Sequence, residues 1–348
     1  MPDRAAARLL FAETALSCPL RLAPASSDAS FRSYWRATDE NGATHVVMDA
    51  PPSLENCAPF IDISARLHAA GLRVPTVLAK DLAQGFLLLP DLGTRTLLPE
   101  LNAASVERHY QTAMAAILQM QLHADVAALP NYDAQHLDSE MELFPEWFLK
   151  WHLGITPSCE DFDIIEATMM QLRNLALTQP KVFVHRDFHS RNLMLAMPAD
   201  TAMQRLAVID FQDAVRGPIT YDLVSLLRDC YISWPKADVA RWVEHYRNLS
   251  SDAGLHRADS DLFRRWFDWM GVQRHLKVLG IFARLNYRDG KAGYLRDLAL
   301  VLHYTLSVCA QYPELQAFAC WLKPLTDGVD LAKSRNPVFT APVFTEPS

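Results

Sequence analysis

The sequence predicts an α+β fold with two lobes, a small β-rich N-terminal lobe and a larger, mainly helical C-terminal lobe. The chain has 348 residues, which exceeds the usual size of a single domain. Strand patterns recur before a break at residues 90–93 (PDLG), and helical periodicity dominates after it. We therefore expect an N-terminal lobe over residues 1–90, a C-terminal lobe over 91–333 and a Pro-rich tail over 334–348.

Composition and charge are those of an ordinary globular protein. Half of the residues are hydrophobic, 21% are charged, and the formal net charge is −7. This balance argues against a nucleic-acid partner, which would favour a basic face. No stretch approaches about 18 uninterrupted apolar residues, so we expect no membrane span. The six cysteines lack metal-ligand spacing and fit reduced thiols in a cytoplasmic protein, which we expect to be a monomer.

Helical and strand patterns alternate in the N-terminal lobe. Residues 3–17 have a basic start and an apolar middle ahead of a cysteine, as lipoprotein signals do. Glu13 interrupts that short apolar run, so we expect an amphipathic helix. Residues 57–70 predict a second helix, and residues 74–78 and 85–89 predict two strands.

A hairpin is predicted between the first helix and the second. Aromatic residues alternate with Arg and Ser over 31–37, the turn sequence DENG follows at 39–42, and residues 44–48 form the return strand. A loop of small residues at 26–30 precedes this hairpin. It is either an ordinary loop or a cover over nucleotide phosphates, in which case the phosphate contacts are Ser26, Ser27, Asp28 and Ser30. The sequence contains no GxGxxG and no P-loop motif.

The most informative stretch is VFVHRDFHSRNLM at residues 182–194. An apolar run leads to Asp187, Asn192 follows five positions later, and a further apolar run ends near Asp210. Phosphoryl transfer needs one carboxylate to orient and deprotonate a hydroxyl, and oxygen ligands to hold Mg²⁺ on the phosphates. A single Asp on a loop is more often a turn or helix cap. Three such residues at strand ends with this spacing favour Asp187 as the general base and Asn192 and Asp210 as the metal ligands.

Neighbouring polar residues have weaker signals. A histidine beside a catalytic loop is usually a hydrogen-bonded scaffold residue, which is our interpretation of His185 and His189. Asp222 could accept backbone hydrogen bonds. Asp213 and Arg216 either face the acceptor or cap a turn.

Helical patterns account for most of the C-terminal lobe. Residues 106–120 and 162–177 predict two amphipathic helices, and further helices follow from residue 219 to about 325. Residues 130–160 are aromatic-rich and are either a substrate cap or a packed connector.

The catalytic stretch resembles a known family. HRDFHSRN at 185–192 and IDF at 209–211 are similar to the HxDxHxxN and IDF signatures of aminoglycoside phosphotransferase-like small-molecule kinases. The resemblance implies a bilobal protein-kinase-like fold with ATP between the lobes and Mg²⁺ as the metal. Gln212 replaces the glycine of D-F-G, and there is no A-P-E segment, which argues against a protein kinase.

Five further blocks narrow the resemblance: residues 46–52, 85–96, 210–214, 217–229 and 286–291. Together they resemble a subgroup of bacterial kinases that act in cell-wall recycling on the anomeric hydroxyl of N-acetylmuramate and N-acetylglucosamine. This implies a sugar and a nucleotide as the small-molecule partners and a sugar 1-phosphate, a precursor of UDP-sugars, as the product. The alternatives are a kinase of another small alcohol (an aminoglycoside, choline or homoserine) and a catalytically silent nucleotide-binding scaffold.

The nucleotide site departs from the usual kinase pattern. Alignment of the third strand places Asp49 where kinases carry a phosphate-binding lysine. Arg32 and Arg36 are candidates for the missing positive charge. Because the family places ATP between the lobes, we also expect nucleotide contacts at Leu89 and Asp91.

An acidic acceptor such as N-acetylmuramate requires a cation for its carboxylate, and arginine suits that contact. The candidates for the acceptor site are Asp213, Arg216, Arg228, Arg284 and Arg288. The sequence does not rank the four arginines.

Overall fold

A computed structural model describes residues 4–27, 31–196 and 201–334. The chain forms two compact units, each built from two chain segments. The first unit comprises Met1–Ala127 and His185–Ala214, and the second comprises Ala128–Val184 and Val215–Ser348.

The elements are numbered along the chain. In the described ranges the strands are β1 (Arg21–Ser27), β2 (Ser33–Thr38), β3 (Thr44–Asp49), β4 (Ala79–Asp81), β5 (Phe86–Pro90), β6 (Lys181–Val184), β7 (Leu193–Leu195), β8 (Leu206–Val208) and β9 (Val215–Pro218). The α-helices in the same ranges are α1 (Arg4–Leu16), α2 (Ala58–Ala69), α3 (Val106–His123), α4 (Ala134–Met141), α5 (Cys159–Thr178), α6 (Ala202–Arg205), α7 (Tyr221–Leu227), α8 (Lys236–Asp252), α9 (Ser260–Tyr287), α10 (Leu298–Cys309) and α11 (Gln316–Thr326). A π-helix spans Phe144–Leu153.

The first unit is organised around an antiparallel sheet with the strand order β1-β2-β3-β5-β4. The predicted hairpin is its centre, since Ser33 pairs with Asp49 and Thr38 pairs with Thr44. The turn forms as its sequence predicts: the Asp39 carboxylate accepts two backbone N–H groups, and Gly42 adopts a positive φ of 82°.

Successive residues of β3 point to opposite faces of this sheet. On one face, Val47 packs with Ala37, Leu88 and Ala12, so that α1 covers this side. On the other face, Val46 lines a cavity. This alternation decides which charged side chains can reach a ligand.

The strand predicted over residues 74–78 is wrong. The edge strand β4 begins only at Ala79, although Leu78 N–H already donates to the carbonyl of Leu88 at 2.8 Å. Pro75 could not itself have joined the ladder, because proline has no N–H to contribute.

The β7–β8 hairpin belongs to the first unit because main-chain hydrogen bonds join it to residues far earlier in the chain. Leu97 N–H donates to the Leu193 carbonyl at 2.7 Å, and Leu195 N–H donates to the Arg95 carbonyl at 2.8 Å. Val208 N–H donates to the Arg73 carbonyl at 2.9 Å. The compact units therefore divide the chain at residues other than the predicted boundary at residue 90. Residues 335–348 of the predicted tail lie outside the described residues.

The second unit is helical and centred on α9, a 28-residue helix that is buried along most of its length. Tyr132, Phe144 and Phe148 are fully buried, so much of the aromatic-rich segment is a packed connector. The π-helix packs tightly against α9, since a Cβ added at Gly280 would lie 2.4 Å from the Leu143 carbonyl. The α+β class is confirmed. In the described residues, no helix combines the length and apolar character needed to cross a membrane.

Candidate active site

The β7–β8 hairpin brings two of the predicted site residues together. Leu193 pairs with Val208 in this antiparallel ladder, and the whole ladder is buried and apolar. Asn192 therefore lies just before one strand at the same end where Asp210 follows the other. Ile209 N–H donates to the Asn192 carbonyl at 3.0 Å, and Asn192 Nδ2 donates to Asp210 Oδ2 at 3.1 Å.

The loop that carries Asp187 is fixed to the same residues. Asn192 Nδ2 also donates to the main-chain carbonyl of Asp187 at 3.0 Å. That carbonyl accepts His189 N–H at 3.0 Å, and Asn192 N–H donates to the His189 carbonyl at 2.9 Å. The three residues predicted from their spacing thus belong to one hydrogen-bonded structure.

His185 is a positioning residue in this structure. It is fully buried, and its Nδ1 accepts the Asp187 N–H at 3.2 Å. Its Nε2 lies 3.1 Å from the Ile209 carbonyl and must donate to it, which places the proton of the neutral ring on Nε2. The imidazole therefore ties the Asp187 loop to the strand that leads to Asp210.

Two non-glycine residues of this region have strained backbone. Arg186 has a φ of 77° and Asp210 has a φ of 64°, in the left-handed region that L-residues rarely adopt. Such conformations persist where the surrounding structure holds them, and they cluster at functional sites. Here they precede the predicted base and coincide with the predicted metal ligand.

The Asp210 carboxylate is stabilised but open. Gln212 Nε2 donates to its Oδ1 at 3.0 Å, and Arg32 Nη2 lies 3.9 Å from the same oxygen. The Asp210 side chain is 37% exposed, whereas the Arg32 side chain is 10% exposed. A buried guanidinium thus faces a carboxylate that retains room for a cation and its anionic ligands.

A cavity of about 440 Å³ lies beside these residues, within the first unit. One part of its wall is apolar and comprises Val46, Phe60, Leu89, Leu92, Met194 and Ile209. Its polar part comprises Arg36, Asp91, Arg191, Asn192 and Asp210. An apolar slot with a few polar groups at one end is the usual form of a site for a small organic ligand. The predicted nucleotide contacts Leu89 and Asp91 both line it.

Arg36 and Asp91 form an ion pair at this cavity. Arg36 Nε donates to Asp91 Oδ2 at 2.5 Å, and Gly93 N–H donates to Asp91 Oδ1 at 2.9 Å. Burial alone would raise the pKa of Asp91, but these hydrogen bonds outweigh it and hold the pKa below its ordinary value. The same contact raises the pKa of Arg36.

Asp49 does not face the cavity. It is buried on the α1 side of β3, where Arg8 Nη1 donates to Oδ2 at 2.8 Å and Arg4 Nε donates to Oδ1 at 2.8 Å. The carboxylate at the aligned lysine position therefore does not repel a phosphate in the cavity. Positive charge near the cavity comes instead from Arg32, Arg36 and Arg191.

The remaining predicted nucleotide contacts are only partly described. Ser26 and Ser27 belong to β1, where they pair with Tyr34 and Ser33. Asp28 and Ser30 lie outside the described residues.

The predicted acceptor residues have different surroundings. Asp213 lies in the first unit, where its Oδ2 accepts Gln212 Nε2 at 3.2 Å. In the second unit, Arg216 is exposed on β9, Arg228 is paired with the buried Asp268, and Arg288 is paired with Asp289.

Several neighbours were not identified from the sequence. Arg191 lines the cavity directly before Asn192, and its place inside the catalytic motif was an available signal. Gln212 orients the Asp210 carboxylate from the position that departs from D-F-G. Arg4 and Arg8 gave no signal, since their partner lies more than 40 residues away.

Three comparisons with known proteins agree with this geometry. The model of the phosphotransferase enzyme family (APH) matches residues 21–260. A protein of Pseudomonas putida KT2440 named N-acetylmuramate/N-acetylglucosamine kinase is 46% identical, with 84% of this chain and 85% of that protein aligned. Proteins of the same name from Pseudomonas aeruginosa PAO1 and Neisseria meningitidis serogroup B are 42% and 41% identical, over 90% and 88% of this chain and 90% and 91% of their own.

Solved structures share the fold at low sequence identity. A choline/ethanolamine kinase family protein from Mesorhizobium loti gives a TM-score of 0.60 at 16% identity, covering 91% of this chain and 99% of that one. Plasmodium vivax ethanolamine kinase gives 0.59 at 11% identity, covering 87% and 85%. APH(2")-IIa in its ternary complex with streptomycin and ATP gives 0.57 at 14% identity, covering 87% and 97%. With the family model matching well over half of its length, this chain belongs to the phosphotransferase enzyme family.

Proposed function

We propose that this protein transfers the γ-phosphoryl group of ATP to the anomeric hydroxyl of N-acetylmuramate and N-acetylglucosamine, giving the sugar 1-phosphates. The observation that carries the proposal is a sequence identity of 41–46% to three kinases named for these two sugars, over most of each chain. The intact group of Asp187, Asn192 and Asp210 supports an active enzyme rather than a silent scaffold.

Asp187 orients the acceptor hydroxyl and accepts its proton. An anomeric hydroxyl is more acidic than an ordinary alcohol, so a carboxylate is a sufficient base. Positioned general-base catalysis contributes about 10²–10⁴-fold to a rate. The hydrogen bonds to His185, His189 and Asn192 hold the loop in place, which is how the chain keeps Asp187 oriented.

A divalent cation, which we take to be Mg²⁺, fits Asn192 and Asp210. Their oxygens are the hard ligands that Mg²⁺ prefers, and Asn192 Nδ2 is already used for hydrogen bonds, which leaves its Oδ1 for the ion. In the described part of the chain, no group of three or more His, Cys, Asp or Glu residues could hold a metal. This suits Mg²⁺, which is usually held by one or two protein oxygens together with phosphates and waters. When bound, it neutralises charge on the phosphates.

The cavity of the first unit is our nucleotide site. Its apolar wall, which includes Leu89, suits a base, and its polar end suits phosphates. Arg32 supplies the charge that a strand lysine supplies in other kinases. The segment with Ser26 and Ser27 at the end of β1, followed by Asp28 and Ser30, remains the proposed phosphate cover.

Asp213, Arg216, Arg228 and Arg288 remain the acceptor candidates. Of the four arginines named from the sequence, Arg228 and Arg288 are paired, whereas in the described chain no carboxylate lies within 4 Å of Arg216 or Arg284. Arg216 is the more available of these two, because it is exposed and Arg284 is half-buried. Arg216→Ala should raise KM for N-acetylmuramate and leave KM for N-acetylglucosamine unchanged. The proposal also includes a monomeric enzyme in the cytoplasm, where ATP and reduced thiols are found.

The test is ³¹P NMR of purified protein with Mg-ATP and a panel of alcohols. An anomeric phosphate resonance should form with N-acetylmuramate and N-acetylglucosamine. Asp187→Asn should fold normally and lose about 10²–10⁴-fold in kcat. Turnover only with an aminoglycoside, choline or homoserine would refute the proposed acceptor.

A further inference from the structure

The second unit contains a cavity that none of Asp187, Asn192 and Asp210 lines, although the acceptor candidate Arg228 does. It has a volume of about 320 Å³ and is lined by residues of α8, α9 and α10 and of the segment that follows α7. This volume lies at the lower end of the range for small-molecule sites. All of its lining residues belong to the second unit.

The cavity is positively charged although the chain carries a net charge of −7. Its cations are Arg228, Lys236 and Arg264, and its one lining carboxylate is Asp268. Arg228 Nη2 and the Tyr312 hydroxyl both donate to Asp268, which neutralises and saturates this buried acid. Throughout the residues with described positions, Lys236 and Arg264 have no carboxylate within 4 Å. The pKa of Glu244 is lowered chiefly by its hydrogen bond from Arg247 and to a smaller extent by the charge of Arg264, so Lys236 is the less engaged of the two cations.

The start of α8 adds to this field. Lys236 is its first residue, and the N-terminus of a 17-residue helix favours an anion. The acidic residue of the first turn, Asp238, is paired with Arg241 at 3.3 Å.

The walls also offer contacts for a ring. Trp234 is half-buried at the cavity, and its indole meets Trp242 edge to face at 6.1 Å, which fixes its orientation. Phe267 lines the floor beneath the Arg228 guanidinium, 4.5 Å from the ring centroid. Ser307 and Gln311 place a hydroxyl and an amide on the rim. Aromatic surface with a few polar side chains is the combination that binds a sugar ring.

We propose that this cavity is a binding site for a small phosphate ester that carries a sugar ring. Lys236 and Arg264 contact the phosphate, because two neighbouring cations suit the double negative charge of a phosphate ester better than the single charge of a carboxylate ligand. Trp234 contacts the ring. The inference rests on Lys236, Arg264 and Trp234, none of which is an acceptor candidate, while Arg228 is already paired with Asp268.

The test measures protection of Lys236 from acetylation by mass spectrometry, without ATP. The probe is N-acetylglucosamine 1-phosphate, with N-acetylglucosamine and inorganic phosphate as matched compounds that lack one half of it. We expect the probe to protect Lys236 at concentrations at least tenfold lower than either half. Lys323, an exposed lysine of α11, should acetylate at an unchanged rate and serves as the internal reference.

Arg264→Ala should raise the concentration for half-protection of Lys236 by about tenfold or more, because a charge-assisted hydrogen bond is lost. Arg257→Ala, which removes an exposed arginine that does not line the cavity, should leave it unchanged. The proposal is overturned if the probe does not protect Lys236 at any concentration tested, or if N-acetylglucosamine protects Lys236 equally well. Equal protection by inorganic phosphate would overturn the role of the ring.

Discussion

Two carboxylates of the first unit, Asp49 and Asp210, lie beside arginines and have opposite uses. Asp49 is 4% exposed, and Arg4 and Arg8 donate to both of its oxygens at 2.5–2.8 Å. Asp210 is 37% exposed, and its arginine stands 3.9 Å away. Both oxygens of Asp210 also accept amide hydrogen bonds, from Gln212 and Asn192. The two acids therefore differ in exposure, and only Asp210 is open to a ligand.

The difference shows that charge pattern alone does not locate a kinase site. Asp49 occupies the position where a lysine was expected, yet it fastens α1 to the sheet. Asp210 lies where strained backbone and an amide from Gln212 hold a carboxylate open. The distinguishing property is exposure, which leaves the Asp210 side chain accessible to a ligand and the Asp49 side chain inaccessible. The following experiments change one side of this contrast at a time.

The largest effect is expected for Asp210→Asn. Removing the charge of this proposed metal ligand should lower kcat by about 10³-fold or more, since a bound cation would neutralise the developing phosphate charge. Stability should change little, because the side chain is 37% exposed and solvent screens its contacts. Steady-state kinetics and thermal unfolding of the same preparation check this. A variant that unfolds at a much lower temperature would show that Asp210 is structural like Asp49.

Asp49→Lys installs the lysine of other kinases and should damage the fold. It places a third cation beside Arg4 and Arg8 in a buried site, which should lower the free energy of unfolding by about 3–5 kcal/mol. ATP affinity should not improve. Val46→Lys, on the same strand but on the cavity face, is the control and should cost less. Urea unfolding measures both, and a stable Asp49→Lys variant that binds ATP more tightly would contradict the observed strand orientation.

Arg32→Ala tests whether the arginine 3.9 Å from Asp210 contributes to ATP binding. We expect kcat/KM for ATP to fall about 10–100-fold, since one charge-assisted contact to a phosphate is lost. Arg32→Lys should recover most of it. Arg66→Ala, which breaks exposed pairs with Asp62 and Asp125, should leave kinetics unchanged. If Arg32→Ala leaves the kinetics unchanged, the positive charge that contacts the phosphates would have to come from Arg36 or Arg191.

The smallest effect concerns pH and the Arg36–Asp91 pair. The hydrogen bonds from Arg36 and Gly93 outweigh burial and hold the folded pKa of Asp91 below its unfolded value of about 3.9. Its stabilisation is therefore complete above that pH and is lost as the pH falls through the lower, folded pKa. Asp91→Asn should be about 1 kcal/mol less stable at pH 7 and should lose less stability on acidification. The measurement is urea unfolding of both proteins at pH 7 and below pH 4. If the pair contributed nothing, the unmodified protein and Asp91→Asn would lose the same free energy of unfolding on acidification.

Local patterns predicted much of this molecule. The DENG turn and its flanking alternation predicted the β2–β3 hairpin, and the spacing of Asp187, Asn192 and Asp210 predicted residues that the structure joins by hydrogen bonds. Both signals lie within short stretches, where turn chemistry and strand ends determine geometry.

Non-local contacts could not be predicted. Arg8 has the polar character of a surface residue, but it is buried because its guanidinium lies 3.6 Å from the Trp35 ring centroid and pairs with Asp49, 41 residues away. The positive φ values of Arg186 and Asp210 have no sequence signal, since glycine is absent at both positions. The sequence likewise carries no signal that His185–Ala214 joins the first unit, because this depends on main-chain hydrogen bonds to Arg95 and Leu97.

The discontinuity of the first unit has a consequence for synthesis. The hairpin that completes this unit lies in His185–Ala214, so the ribosome must add 87 residues after Ala127 before the unit can close. At roughly 5–20 residues per second this takes about 4–17 s. During that interval the N–H of Leu97 and the carbonyls of Arg73 and Arg95 lack their partners. The nascent chain therefore presents an unfinished edge for seconds, and its yield in cells should respond to the supply of chaperones.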